Sequence, residues 1–402
     1  MYSGLPKEYL TKFSEYFQKR KHWTVLVLYD NVITAFLLSK EDRKNEINIT
    51  SVKRTVSHGI KAGRIVNSRK ASRMMSYLLN SVSEETGIKD NRVLVGLDTP
   101  PLLLTPKQWT DDSCLKSPCN ETSYKRILHN IIRESSFDSQ HIIEIIPMSI
   151  SMSERLVEDP NGITGQMNMY NFLVSLSDQD RKDIEKCLKS IGYRCESFFS
   201  GFHNLCSAFS GAAAENEHVL LIDLKYNSTD VIMFQGDQPL AMKCYKQGLD
   251  GIIIESLSSV LNIDSADAIA CLKKYYKNSN DRDAEIIGKD ELPACSMGLK
   301  CWEVHEIIMG QLKNFIEMDG GIGNLVIRLQ RDLHASPRKL IITGEGARIP
   351  GIDELFETKV HVKTETKKRI SPHTNGSMQT TAYGMALTIA REAGAAILRK
   401  NL

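Results

Sequence analysis

The sequence lacks nearly every signature that marks a catalytic centre. It has no HExxH: His305-Glu306 begins one, but Met309 stands where the second histidine belongs. It has no CxxC. Cys114 and Cys119 stand in a Pro- and Ser-rich stretch with no second pair to complete a structural zinc site. GxSxG and the P-loop pattern GxxxxGK are both missing, which excludes a serine-hydrolase elbow and a Walker-type phosphate loop. No apolar run approaches the ~18 residues needed to span a bilayer, and MYSGLPKEYLTKFSEYF lacks the basic-then-apolar layout of a secretory signal. Charge excess is also missing: 51 basic against 49 acidic residues leave a net +2, which argues against a protein that coats nucleic acid. The nine cysteines are odd in number and scattered, as expected of reduced thiols in a cytoplasm.

What is present is globular. A chain of 402 residues with 42% hydrophobic and 25% charged residues has enough apolar surface for two to four domains at roughly 100–200 residues each. Two segments resemble each other. VLVLYDNVITAFLL starts at Val25 and VLLIDLKYNSTDVIMFQGD starts at Val219, and each reads as strand, short polar turn and second strand. A helical pattern follows each: Ala71, Met74, Met75, Leu78, Leu79 and Val82 in the first half, Ile253, Ile254, Leu257, Val260 and Leu261 in the second. The halves suggest an internally duplicated α/β protein; chance likeness of two hairpins is the alternative.

Between the halves, Thr99 to Ser123 is rich in Pro, Ser and Asp and reads as loop. A helix candidate over Lys125 to Glu134 and the strand HIIEIIPMSISM, interrupted at Pro147, follow it. These make a candidate inserted domain. Cys301 to Leu333 reads as two helices broken at Gly320-Gly321, and a last helix starts near Thr380 after the basic loop Lys363 to Gln379. The segment GEGARIPG, Gly344 to Gly351, follows the apolar run Leu340-Ile341-Ile342, as a phosphate-cradling turn would, although such turns also use Gly for geometry alone.

Four motifs in order give a resemblance. GIKAGRIVN (Gly59 to Asn67), SERLVEDPNGITGQMN (Ser153 to Asn168), LIDLKYNSTDVIMFQGD and LIITGEGARIPGIDELF are similar to segments of the FtsA family of bacterial division proteins. There they read "GIKKGxIVD", "DPxGMxG", "DIGGGTTDI" and "TGGGAxLPGIxEL". The resemblance implies an actin/Hsp70-like α/β fold of two lobes with internally duplicated mixed sheets and a small inserted FtsA-type subdomain. The expected divisions are an N-terminal helical extension over 1–21, lobe 1 over 22–99 and 167–217, the insertion over 100–166, lobe 2 core over 218–250 and 336–379, its outer part over 251–335, and a C-terminal helix over 380–402.

The resemblance also implies ATP with Mg²⁺. Asp223 would hold the metal; Lys225, Tyr226, Asn227, Ser228 and Thr229 would face the β-phosphate; Gly344, Glu345, Gly346, Ala347 and Arg348 would cradle the ribose and α-phosphate at a helix N-terminus. Asp223 as a strand-end carboxylate serving turn amides, and Arg348 as a solvated surface cation, are the alternatives. Departures are pronounced. The family's first loop, "DxGTSK", falls on Val27 for Asp and Tyr29 for Gly, with Asp30 and Asn31 as polar neighbours. In the second loop, Lys225-Tyr226-Asn227 replaces three glycines. A phosphate needs bare backbone N–H groups, so weakened nucleotide binding is expected. No base to activate water is evident, so an adaptor is expected rather than an enzyme. The implied partners are FtsZ, other copies of the chain, and the cytoplasmic face of the plasma membrane at the division site. An ATPase or kinase of the same fold, and a type IV pilus assembly protein, are the alternatives. The stretch PKEYLTKFSEYFQKRK places Tyr9, Leu10, Phe13, Tyr16 and Phe17 on one helical face with cations beside them, suiting either a membrane interface or docking on lobe 1.

Overall fold

Two apolar runs, each broken by a short polar turn, build the two sheets. β1 (His22–Tyr29) pairs antiparallel with β2 (Val32–Glu41), from His22↔Ser39 to Tyr29↔Val32, and β2 pairs in turn with β3 (Glu46–Val56). β1 and β2 are buried nearly end to end, so they read as continuous hydrophobic runs rather than alternating ones. The computed structural model describes residues 20–29, 32–41, 46–56, 59–61, 63–97, 102–135, 139–157, 160–209, 214, 217–236, 238–288, 298–318, 320–366, 380–392 and 396–397. The chain divides into one unit of residues 1–212, 236–240 and 369–402 and another of residues 213–235 and 241–368. The expected N-terminal helix over 1–21 lies outside the described residues except at its end.

In the first unit a small hairpin, β4 (Ile60–Lys61) with β5 (Arg64–Ile65), leads into α1 (Ser68–Thr86). Gly59 has φ +104, and a Cβ there would stand 2.5 Å from the Asn67 carbonyl, so the GIKAGRIVN turn requires glycine at its start. Asn67 caps α1 by accepting from the Lys70 amide at 3.0 Å. β6 (Arg92–Leu97) then joins β1 in parallel.

The insertion follows: β7 (Leu102–Asp111), α2 (Glu121–Ser135), β8 (Gln140–Met152), β9 (Arg155–Val157) and β10 (Met167–Ser177). Its sheet runs β7-β10-β8-β9 and has its own core, in which Cys114, Cys119, Tyr124, Ile127, Met167 and Met169 are buried and Trp109 packs against them. β7 corrects the expectation of loop from Thr99. Its Pro106 faces Phe172 on an edge strand, where the missing N–H does no harm. Pro147 sits at a register shift of β8, the other place a sheet accepts proline. The central strand β10 belongs to this sheet, so the subdomain ends later than the expected boundary at 166. Residues 160–165 fasten the loop before α2: the Cys119 amide donates to Ile163 O, Gly162 to Cys119 O, and Gly165 to Cys114 O. α3 (Asp178–Ser190), β11 (Arg194–Ser200) and α4 (Gly201–Phe209) complete this stretch, and the main sheet reads β11-β6-β1-β2-β3.

The second unit repeats that order. β12 (His218–Leu224), β13 (Thr229–Gln235) and β14 (Gln238–Tyr245) form the meander. α5 (Leu249–Leu261), α6 (Ser265–Asn278), a hairpin of β15 (Glu285–Ile287) with β16 (Leu299–Lys300), α7 (Cys301–Glu317) and α8 (Ile322–Asp332) follow. β17 (Lys339–Gly344), a 3-10 turn over Glu345–Arg348, α9 (Ile352–Val360) and β18 (Thr364–Thr366) close a sheet ordered β14-β13-β12-β17-β18. Trp302, near the start of α7, lines a cleft with Tyr275 and His305. The chain then returns to the first unit. α10 (Thr380–Glu392) buries Ala382, Met385, Ala386 and Ile389 in a cluster with Trp23, Val27 and Phe36, and β19 (Ala396–Ile397) pairs with β3. A Cβ on Gly384 would lie 1.9 Å from the Asn204 carbonyl, so that glycine lets α10 lie directly on α4. α10 and β19 therefore belong to the first unit.

Candidate functional site

The two hairpins that look alike in sequence end differently. In the first, pairing continues through Tyr29↔Val32, leaving residues 30 and 31 as the whole connection. Asp30 and Asn31 lie outside the described residues. Val27 and Tyr29 are buried in the cluster with Trp23, Phe36, Leu94 and Met385. The positions where the resemblance expects Asp and Gly are thus hydrophobic core. The strand pair is bonded through Tyr29↔Val32 and its last buried residues are apolar.

In the second hairpin, pairing stops at Leu224↔Thr229 and four residues, Lys225 to Ser228, form the turn. Asp223 lies opposite Asp230 on β13 and beside Thr343 on β17. Two carboxylates facing each other across an antiparallel pair repel. Lys225 resolves this. Its ammonium hydrogen-bonds Asp230 and stands 3.7 Å from Asp223 Oδ2. Lys225 and Asp230 have no exposed side-chain surface and Asp223 has 1%. Buried charges persist only when paired in this way.

The rest of the turn is tied down internally. The Lys225 amide donates to Ser228 O at 3.0 Å, and the Gly251 amide donates to Tyr226 O at 2.9 Å. A Cβ on Gly248 would fall 2.1 Å from Tyr226 O, so Gly248 and Gly251 exist here to let the start of α5 close on this turn. Thr229 Oγ1 donates to Gln247 O at 3.0 Å. Asp250 occupies the first turn of α5, where a carboxylate complements the helix dipole, and accepts from Tyr276 Oη at 2.7 Å. Burial first, then the Asp250 and Glu345 carboxylates, push the Tyr276 phenol well above its usual range, so it is a neutral donor.

The third segment, Gly344 to Arg348, abuts the same place. Gly344 has φ +87, and a Cβ on it would meet Leu224 O at 2.2 Å and Asp223 Oδ1 at 2.8 Å. These two glycines are packing requirements: Gly346 would in the same way strike the Leu224 side chain. Ala347 is buried. Arg348 pairs with Glu345 at 3.4 Å and is 42% exposed, the solvated alternative. The structure therefore brings together Asp223, Lys225 to Thr229 and Gly344 to Arg348. It adds Asp230, Asp250 and Tyr276, which sequence reading missed. The register that sets Asp223 against Asp230 was the available signal for the first of these.

Mg²⁺ does not fit beside Asp223 in this arrangement. The position facing the would-be metal ligand is filled by an ammonium. The start of α5, which abuts the turn, already donates the Gly251 amide to Tyr226 O and carries Asp250. Asp223, Asp230, Asp250 and Glu345 place four carboxylates around the turn, and like charge repels a phosphate. Among the described residues no group of three or more His, Cys, Asp or Glu is placed to hold a metal ion.

Comparison with known proteins places this site in a fold. A chain of the PilM–PilN type IV pilus biogenesis complex superposes with a TM-score of 0.61 at 13% identity, covering 92% of this chain and 98% of that one. MreB5 of Spiroplasma citri bound to ADP gives a TM-score of 0.50 at 14% identity over 93% of this chain and 98% of that one. The chain has the actin/Hsp70-like fold. The ethanolamine utilization protein EutJ of Carboxydothermus hydrogenoformans also matches this actin-like chain, at a TM-score of 0.50 and 8% identity over 96% of it and 98% of EutJ. In sequence, the cell division protein FtsA of Streptococcus pneumoniae serotype 2 is 20% identical over 341 residues, 82% of this chain and 72% of that protein. No protein-family model matches.

Proposed function

We propose that this actin-like chain is a division adaptor, joining filaments of the tubulin-like protein FtsZ to the inner face of the membrane and associating with its own copies, with no nucleotide turnover. The observation that carries this is the sequence match to an FtsA across 82% of the chain. An inserted four-stranded subdomain at the position implied by the DPNGITG motif supports it. So does a second hairpin whose polar groups are spent inside the protein, since an adaptor needs surfaces rather than a phosphate clamp. The likeness in fold to a chain of the PilM–PilN complex over 92% of the sequence favours a second reading, a scaffold for a pilus component.

Co-sedimentation separates the two. The division reading expects the purified chain to pellet with FtsZ filaments and with anionic liposomes; retention by a PilN-type peptide without FtsZ binding would replace it with the pilus reading. Nucleotide affinity is tested by calorimetry with ATP and Mg²⁺. Loss of two charge-assisted contacts at roughly 1.5–3 kcal/mol each lowers affinity by about two to four orders of magnitude. Micromolar binding that Asp223→Ala abolishes would overturn the loss of the nucleotide site.

A further inference from the structure

A lysine with no exposed surface is a costly residue to place in a turn, and here its neighbours show what it offsets. Asp223 and Asp230 are ladder partners at the mouth of the β12–β13 hairpin. Without a cation they would face each other away from water. Such a pair can be neutralised by a proton, by a divalent ion drawn from solution, or by a cation that the chain supplies. The ammonium of Lys225, bonded to Asp230 and 3.7 Å from Asp223, is the third solution. The stem of Lys225 also begins at the first turn position, so the group that neutralises the carboxylates fixes the turn between them.

We propose that Lys225 is a built-in replacement for a divalent metal, and that it holds the turn 225–228 closed against α5 with neither metal nor nucleotide bound. The proposal rests on the reading of this hairpin as the counterpart of a phosphate loop. It goes further, in assigning Lys225 the role of the ion. The closed turn is then a fixed part of the second unit rather than a response to ligand. Lys225 Nζ is tied to Asp230, Tyr226 O to the Gly251 amide and Thr229 Oγ1 to Gln247 O. These bonds are made within the chain.

The test is metal rescue in the full chain. Thermal unfolding is followed for the wild type, for Lys225→Met, and for the neutral Asp223→Asn/Lys225→Met/Asp230→Asn variant, each in KCl and in MgCl₂ at matched ionic strength. The wild-type midpoint is expected to be the same in both salts. Lys225→Met is expected to fall by roughly 10 °C, as for a broken buried ion pair, and to recover at least half of that in MgCl₂ but not in KCl. The triple variant is expected to ignore Mg²⁺. Retention of the wild-type midpoint by Lys225→Met, or a loss that Mg²⁺ does not relieve, overturns the proposal. If Lys225→Met is insoluble, solubility restored by millimolar MgCl₂ during purification supports it, and insolubility in both salts while the triple variant is soluble overturns it. Sub-millimolar uptake of Mn²⁺ by the wild type, read by electron paramagnetic resonance, also overturns it. A failure to bind FtsZ with metal rescue intact would discard the adaptor reading and leave this inference standing.

Discussion

Asp90 sits at a junction of charged side chains in the first unit. It receives Arg20 and Arg92, and Arg20 also holds Glu196. Burial alone would raise the Asp90 carboxyl, but hydrogen bonds from Arg92 and then Arg20 outweigh it and bring it from 3.8 to about 2. A carboxylate depressed on folding adds stability above its unfolded value. That stability is lost as pH falls from 3.8 toward about 2. Asp90→Asn is therefore expected to be less stable than the wild type at neutral pH and to show a shallower loss of stability across that acid window. Urea unfolding at a series of pH values checks it; an unchanged acid slope would show that the pair contributes nothing.

At the scale of elements, the two hairpins carry the contrast that matters. Restoring the family residue by Val27→Asp is expected to destroy the first unit rather than revive a site. It would set a carboxylate among Trp23, Phe36 and Met385. The expected outcome is insoluble protein or a midpoint lowered by well over 10 °C, since an unpaired buried charge costs several kcal/mol. Gly384→Ala should loosen α10 from α4 by roughly 1–3 kcal/mol in chemical unfolding, because the added methyl meets the Asn204 carbonyl. Much of this was legible beforehand. Apolar runs with short polar turns showed both meanders, and helical spacing in Ala71 to Val82 placed α1. The broken glycine pattern around Lys225 showed that the loop had changed. β7 was not legible, because Pro106 and its polar neighbours mimic a loop until an edge position excuses them. Nor was the pairing of Lys225, which depends on a hairpin register that turn length decides. Tyr276 reaches Asp250 from another helix, a contact that local sequence does not encode.

For the whole molecule, the membrane is the open partner. The aromatic and basic face between Tyr9 and Lys21 is the candidate anchor and lies almost wholly outside the described residues. No helix among the described residues is long and apolar enough to cross a bilayer. Flotation with anionic liposomes is expected to be strong for the intact chain and weak for one lacking residues 1–19, which keeps Arg20 in its pairs with Asp90 and Glu196, with about 1 kcal/mol lost per cation removed. Undiminished flotation of a folded truncation would place the contact elsewhere. The distribution of tryptophan makes these questions measurable without a label. The chain has three: Trp23 is sealed in the core of the first sheet, Trp109 packs on the inserted sheet, and Trp302 stands on α7 of the second unit. Variants that keep one indole each would give three emission spectra from one protein, and so the order in which its layers come apart.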